Sequence, residues 1–239
     1  MYAFEQACRP VLFEADNDEY SYWGKGSSLL VANSKAFYWI TAKHVMDNLG
    51  GTAEALRIFP SDSSQISLPY DEQYTLNKGE TDDEDFKDLY ILRVDLADFD
   101  QSGDTPLTAQ DIEAGVLEPE NLCAGDELFI VGYPSESRIV DYVESKIAYT
   151  RKAIRGLFDG PSIGAHCFKT KIDTTVELDD YDGISGAPVF RFQKKQIDGE
   201  DWTFPMLVGL VLRGSGQSST AHFVGAHVIV NAIRCAEAA

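Results

Sequence analysis

The chain has 239 residues, 44% hydrophobic and 25% charged, a balance typical of a soluble globular protein long enough for two modest cores. Lys and Arg total 20 against 39 Asp and Glu, a formal net charge of −19, which disfavours a nucleic-acid backbone or an anionic membrane as the main partner. No apolar run reaches membrane-spanning length, and the start Met1-Tyr2-Ala3-Phe4-Glu5-Gln6 lacks the basic and apolar regions of a signal peptide, so a cytoplasmic protein is expected.

Residues 9–15 read as a first short strand, followed by an acidic turn at Asp16-Asn17-Asp18-Glu19. Residues 22–31 read as a strand with Gly24 and Gly26 at a bend or bulge. A turn at Asn33-Ser34-Lys35 leads into Ala36-Phe37-Tyr38-Trp39-Ile40, rich in β-forming aromatics. This hairpin delivers Thr41-Ala42-Lys43-His44, and residues 45–49 are helix-like up to Gly50-Gly51. Two short strands are expected at 55–59 and 64–68, separated by Pro60-Ser61-Asp62. The acidic run at 79–85 does not have the spacing of an EF-hand and reads as a solvated loop. Asp88 then introduces the apolar strand Leu89-Tyr90-Ile91-Leu92-Arg93-Val94.

Residues 95–126 are polar and punctuated by Gly103, Pro106, Gly115 and Pro119, which predicts a crossover between two halves with one short helix near 108–114. Leu128-Phe129-Ile130-Val131-Gly132-Tyr133-Pro134 opens a second all-β half. Further strands are predicted at 139–145, 165–170 and 188–193, with a last long pair at 206–212 and 222–226. Val228, Ile229, Ala232 and Ile233 recur at helical spacing within 227–239.

The stretch with the most chemistry is Asp182-Gly183-Ile184-Ser185-Gly186-Ala187-Pro188. Glycines let successive N–H groups point into one small space, so a serine here can attack a carbonyl while the Gly183 and Ser185 amides hold the developing oxyanion. Such a turn alone is more often an ordinary β-turn. His44 and Asp88 raise its significance, because they precede the serine in the order His, Asp, Ser.

With these three segments the chain resembles the chymotrypsin/trypsin-like serine peptidases, especially the stand-alone bacterial type, from about Pro10 to its C-terminus. The matching features are Gly24-x-Gly26 followed by Thr41-Ala42-Lys43-His44, Asp88 directly before its apolar strand, Gly132-Tyr133-Pro134, and the Ser185 turn. The resemblance implies an all-β fold of two six-stranded antiparallel β-barrels of chymotrypsin type with a C-terminal helix. Residues 1–110 would form the first barrel, carrying His44 and Asp88, and residues 111–239 the second, carrying Ser185. Asp88 would orient His44, His44 would take the Ser185 proton, and an acyl-enzyme would follow. Asp82, Asp83 and Asp85 stand next in line should Asp88 lie far from His44.

The same resemblance places Asp179, six residues before the nucleophile, at the base of the pocket for the side chain preceding the cut. A carboxylate there favours Arg or Lys. Leu212, Arg213 and Gly214 match the strand that pairs with extended substrate. A protein or peptide substrate is implied, with a separate regulatory partner, and no cofactor or metal. Ile184 occupies the position at which secreted members carry the Asp that pairs with a freed N-terminus, so activation by propeptide cleavage is not expected. Cys8, Cys123, Cys167 and Cys235 form no C-x-x-C pair and none lies near His44 or Ser185 in sequence. They read as four reduced thiols, most of them packed as small hydrophobes, and no zinc site is expected. The α/β-hydrolase alternative places its acid and histidine after the serine. His222 and His227 do lie downstream, but Ala187 departs from the G-x-S-x-G pattern. The competing class is a catalytically silent peptidase-like protein that binds a peptide or partner protein.

Overall fold

The computed structural model describes residues 3–15, 22–49, 52–61, 64, 66–76, 85–97, 99, 107–141, 146–173, 181–215 and 219–238. The first half comprises helix α1 (Ala3–Ala7), strands β1 (Cys8–Pro10), β2 (Leu12–Glu14), β3 (Tyr22–Trp23), β4 (Ser27–Ala32) and β5 (Phe37–Ala42), helix α2 (Lys43–Leu49), and strands β6 (Leu56–Arg57), β7 (Tyr70–Thr75), β8 (Leu89–Val94) and β9 (Gln110–Asp111). The second half comprises strands β10 (Glu127–Gly132), β11 (Arg138–Asp141), β12 (Lys146–Tyr149), β13 (Lys152–Pro161), β14 (Cys167–Ile172), β15 (Pro188–Ile197), β16 (Glu200–Ser215) and β17 (Thr220–Gly225), then helix α3 (Ala226–Glu237).

Strand β4 reads Ser-Ser-Leu-Leu-Val-Ala and β5 Phe-Tyr-Trp-Ile-Thr-Ala, near-continuous apolar runs suited to burial on both faces. Leu29, Leu30, Trp39 and Ile40 are fully buried. The hairpin between them is set by Asn33, whose Oδ1 accepts the amides of Lys35 and Ala36, both at 2.9 Å. On the other side of β5 the antiparallel register pairs Ile40 with Ile91 and Ala42 with Leu89. The residues just past β5 and just before β8 are therefore neighbours, and Lys43 N–H donates to the Asp88 carbonyl at 3.1 Å.

The second half closes into a six-stranded antiparallel barrel in the order β10-β13-β14-β17-β16-β15. Closure removes open strand edges, and Leu128, Ile130, Ile154, Val189, Val208 and Phe223 fill the interior. Strands β11 and β12 form a separate hairpin. The first half is divided among the described residues between a six-stranded sheet, β1-β4-β5-β8-β7 with β9 on β4, and a three-stranded sheet, β3-β2-β6. The break falls where β1 gives way to β2 at Val11 and β3 to β4 at Gly24–Gly26. One hairpin thus leaves one sheet and enters the other, as strands do at a corner. Pro10, lacking an N–H, ends the β1 ladder, and Val11 N–H donates instead to the Gly26 carbonyl at 3.1 Å.

A continuous core joins the halves, with Leu29, Trp39 and Leu92 of the first packed in one cluster with Phe190, Leu210 and Ile229 of the second. The expected C-terminal helix is α3, whose Val228, Ile229 and Ile233 are buried. Its far end returns to the β4–β5 hairpin, where Glu237 accepts hydrogen bonds from Asn33 (2.6 Å), Lys35 (2.9 Å) and Tyr38 (2.9 Å).

Several local expectations need correction. Residues 112–114 form a turn after β9 rather than a helix from 108 to 114, because the Asp111 carboxylate captures the amides of Glu113 (2.7 Å) and Ala114 (3.1 Å). The single strand expected at 139–145 is a hairpin, β11 to β12, and residues 142–145 lie outside the described set. No strand occupies the described residues among 64–68. The sheet edge is taken by β7, whose polar sequence Tyr-Asp-Glu-Gln-Tyr-Thr is mostly exposed. All four cysteines are free, but only Cys8 and Cys167 are buried; Cys123 and Cys235 are exposed. The acidic turn at 16–19 and residues 79–84 lie outside the described residues. No described helix is long and apolar enough to cross a membrane.

Candidate active site

His44 is the second residue of α2, immediately after β5 turns into the helix. The β5–β8 register brings Asp88 alongside it, and the Asp88 carboxylate binds His44 twice. Oδ1 accepts the His44 backbone N–H at 2.8 Å, and Oδ2 lies 2.5 Å from Nδ1 of the ring. With a carboxylate oxygen as acceptor, a neutral His44 ring carries its proton on Nδ1 and keeps the lone pair on Nε2. The backbone bond holds the carboxylate by one oxygen while the other orients the ring. Both side chains are about one-third exposed, His44 at 34% and Asp88 at 28%, so the pair borders solvent.

Ser185 lies in a turn that enters β15. Gly183 and Gly186 have φ of +90° and +83°, values that side-chain-bearing residues rarely adopt. A Cβ on Gly186 would come within 1.9 Å of the Ser27 carbonyl oxygen, and one on Gly183 within 2.6 Å of the Tyr133 carbonyl. The turn is therefore specific to glycine at both places. Its peptide planes are individually anchored. The Asp182 carbonyl accepts Ser135 N–H at 2.7 Å, and the Ile184 carbonyl accepts Ala187 N–H at 2.9 Å. In a trans peptide the C=O and the following N–H point opposite ways, and the described chain contains no cis bond. The N–H groups of Gly183 and Ser185 are thus turned away from these anchors, and neither donates to a described residue.

His44, Gly183 and Ser185 line one cavity of about 200 Å³, together with Lys25, Gly26, Val45, Asn48 and Asp182. Lys25 forms an ion pair with Asp182 at its rim, both side chains about two-fifths exposed. The Ser185 hydroxyl donates to the Leu212 carbonyl at 3.2 Å. That carbonyl is available because the β16–β17 ladder shifts register between Val211 and Arg213, leaving Leu212 outside the pairing.

The remaining expected positions fall as follows. Leu212 is buried, and Arg213 forms an ion pair with Asp85 of the first half, in the one-turn 3-10 helix (Asp85–Lys87) that precedes Asp88. Asp85 is thereby committed to Arg213 rather than to His44. Gly214 faces Tyr181 and Ile184, whose side-chain atoms would lie 3.3 and 3.2 Å from an added Cβ. Ile184 is fully buried in the second core. Asp179, Asp82 and Asp83 lie outside the described residues. The downstream histidines are engaged elsewhere: His222 Nδ1 lies 2.6 Å from Ser162 Oγ, and His227 Nε2 lies 3.0 Å from His166 Nδ1. Burial, then the nearby Arg213 charge, holds His222 below the ordinary imidazole range. No cluster of three or more His, Cys, Asp or Glu suited to a metal ion occurs among the described residues.

Ser27 and Ser135 also shape the site, and sequence reasoning passed over both; Leu212 was expected to pair with substrate, but its carbonyl's hydrogen bond from the Ser185 hydroxyl was not foreseen. Ser27 carried one available signal, its position directly after Gly24-Lys25-Gly26 in the first half. The backbone contributions of Ser135 and Leu212 depend on no side-chain type. Neither a protein-family model nor a curated protein matches this chain.

Proposed function

We propose that the protein is a serine endopeptidase with the two-barrel architecture of the chymotrypsin type, in which Ser185 is the nucleophile, His44 the general base and Asp88 its orienting carboxylate. The observation that carries this reading is the 2.5 Å contact between Asp88 and His44 Nδ1 in a cavity that His44 shares with Ser185. His44 Nε2 would accept the Ser185 proton as Oγ attacks the amide carbonyl, then return it to the leaving amine. Water would clear the acyl-enzyme by the same route. The Gly183 and Ser185 amides would hold the oxyanion, each worth about 3 kcal/mol. Attack first requires Ser185 Oγ to leave the Leu212 carbonyl, a rotation about one side-chain bond.

The proposal extends to cleavage after Arg or Lys, with Asp179 at the pocket base and the β16 segment Leu212-Arg213-Gly214 pairing with substrate. The Arg213 ion pair with Asp85 supports this, since it neutralises the cation that would otherwise repel a basic side chain. A cytoplasmic setting and a regulatory protein partner belong to the same reading. A second reading, a silent peptide-binding protein, is favoured by the resting hydrogen bond from Ser185 to Leu212. Labelling native protein with a fluorophosphonate separates the two. Covalent modification of Ser185, absent in Ser185→Ala, supports the peptidase; an unlabelled native protein supports the binding module. Peptide-library profiling tests the specificity, and a preference for apolar residues unchanged in Asp179→Ala removes that part.

A further inference from the structure

We propose that Ser27, with Lys25 two residues before it, is a positioning clamp that sets the two oxyanion-binding amides from the opposite half of the molecule. The inference rests on the peptidase reading of Ser185. Ser27 opens β4 and is fully buried. Its N–H donates to the Ser185 carbonyl at 2.8 Å, and its hydroxyl donates to the Gly183 carbonyl at 2.8 Å. The same hydroxyl accepts Tyr133 N–H at 2.9 Å, and the Ser27 carbonyl accepts the Thr41 hydroxyl at 2.7 Å. One side-chain oxygen thus ties together β4, the end of β10 and the nucleophile turn.

The tie matters because of which peptide it holds. Ser135 and Ala187 anchor the planes that carry the Gly183 and Ser185 N–H groups. The plane between them, joining Gly183 to Ile184, sets the angle at which those two donors converge. At its nitrogen end, Ile184 N–H reaches the Tyr181 carbonyl at a long 3.3 Å. At its carbonyl end it is held by Ser27 at 2.8 Å, the firmer restraint. Glycine at φ +90° supplies little stiffness of its own, so the plane takes its orientation from outside the turn. Lys25 adds a second grip through its ion pair with Asp182, one residue before Gly183. That contact is half in solvent and is weakened by salt, whereas the Ser27 contact is buried.

The test uses the full chain as wild type, Ser27→Ala and Lys25→Met, with Ser185→Ala as control. Peptide cleavage gives kcat and KM, and a peptide aldehyde, which binds as a tetrahedral adduct, reports on the oxyanion site. Ser27→Ala should lower both kcat and aldehyde affinity by about 10- to 100-fold, less than the roughly 10²–10³ expected when a donor is lost outright, with KM within about twofold. Lys25→Met, at a half-exposed position on the cavity rim, should lower kcat by about threefold in low salt and remove its decline with added salt. A folded Ser27→Ala with unchanged kcat and aldehyde affinity overturns the clamp, as does a parallel change in kcat and KM. Should Ser27→Ala not fold, Lys25→Met decides, and unaltered kcat with unaltered salt response refutes the proposal. Wild type that neither cleaves peptide nor takes a fluorophosphonate at Ser185 refutes the peptidase reading instead, and the clamp with it.

Discussion

Asp88→Asn isolates the role of the carboxylate with almost no change in shape. In the native arrangement one oxygen accepts the His44 backbone N–H at 2.8 Å and the other faces ring Nδ1 at 2.5 Å. A carboxamide has only one oxygen to offer. Turning its NH2 toward the backbone N–H would set donor against donor and leave a part-buried amide unpaired, a cost of about 1–3 kcal/mol. The oxygen therefore stays on the backbone and the NH2 faces the ring. Nδ1 must then accept, the ring proton moves to Nε2, and the base toward Ser185 is lost. The expected drop in kcat is about 10⁴-fold, or about 5.5 kcal/mol of barrier. The assay is the rate of fluorophosphonate labelling or peptide cleavage, with a thermal melt alongside; the melt should change little. An Asp88→Asn protein that reacts within about tenfold of wild type would refute the tautomer argument and with it the role of Asp88.

On the proposed peptidase reading Ser185→Ala and His44→Ala should each abolish nearly all cleavage, and the double variant should be little worse, as for residues that act as one unit; losses that multiply would separate their roles. Arg213→Gln should lower the melting temperature only slightly, since its ion pair with Asp85 is half exposed, and should raise turnover of substrates with Arg or Lys before the cut, because it removes a cation and leaves Asp85 uncompensated. A large melting shift with unchanged turnover contradicts that assignment. Burial pushes the Cys167 thiol up to about 11, whereas Cys123 and Cys235 are exposed. Iodoacetamide at about pH 8 should modify Cys123 and Cys235 and spare Cys167, read by mass spectrometry of the folded protein. Because the folded value lies above the unfolded one, the buried Cys167 thiol costs no stability below about pH 9, and stability is lost as pH rises from about 9 to about 11, the range in which the unfolded chain ionises ahead of the buried thiol. Denaturant titrations at about pH 8 and pH 10.5 should show that loss of stability, and Cys167→Ala should reduce it.

What sequence alone determined is local. The apolar runs of β4, β5 and β8 declare buried strands, Asn33 declares its hairpin, and the helical spacing of Val228, Ile229 and Ile233 declares α3, because periodicity and turn chemistry act over a few residues. Likewise the glycines around Ser185 require a special turn wherever the turn is placed. Strand β13 was not legible. Gly156, Gly160 and Pro161 interrupt it, and its outward residues are mostly exposed, so only the barrel's closure makes it a strand. The polar edge strand β7 was hidden for a similar reason. Tertiary structure alone decided the contacts between distant segments. The pairing of Ala42 with Leu89 places Asp88 beside His44, the unpaired Leu212 carbonyl receives Ser185, and Ser27 grips Gly183 across 156 residues of chain. Such contacts leave little trace in sequence, because backbone carbonyls and amides are common to every residue and their partners are chosen only by register and closure.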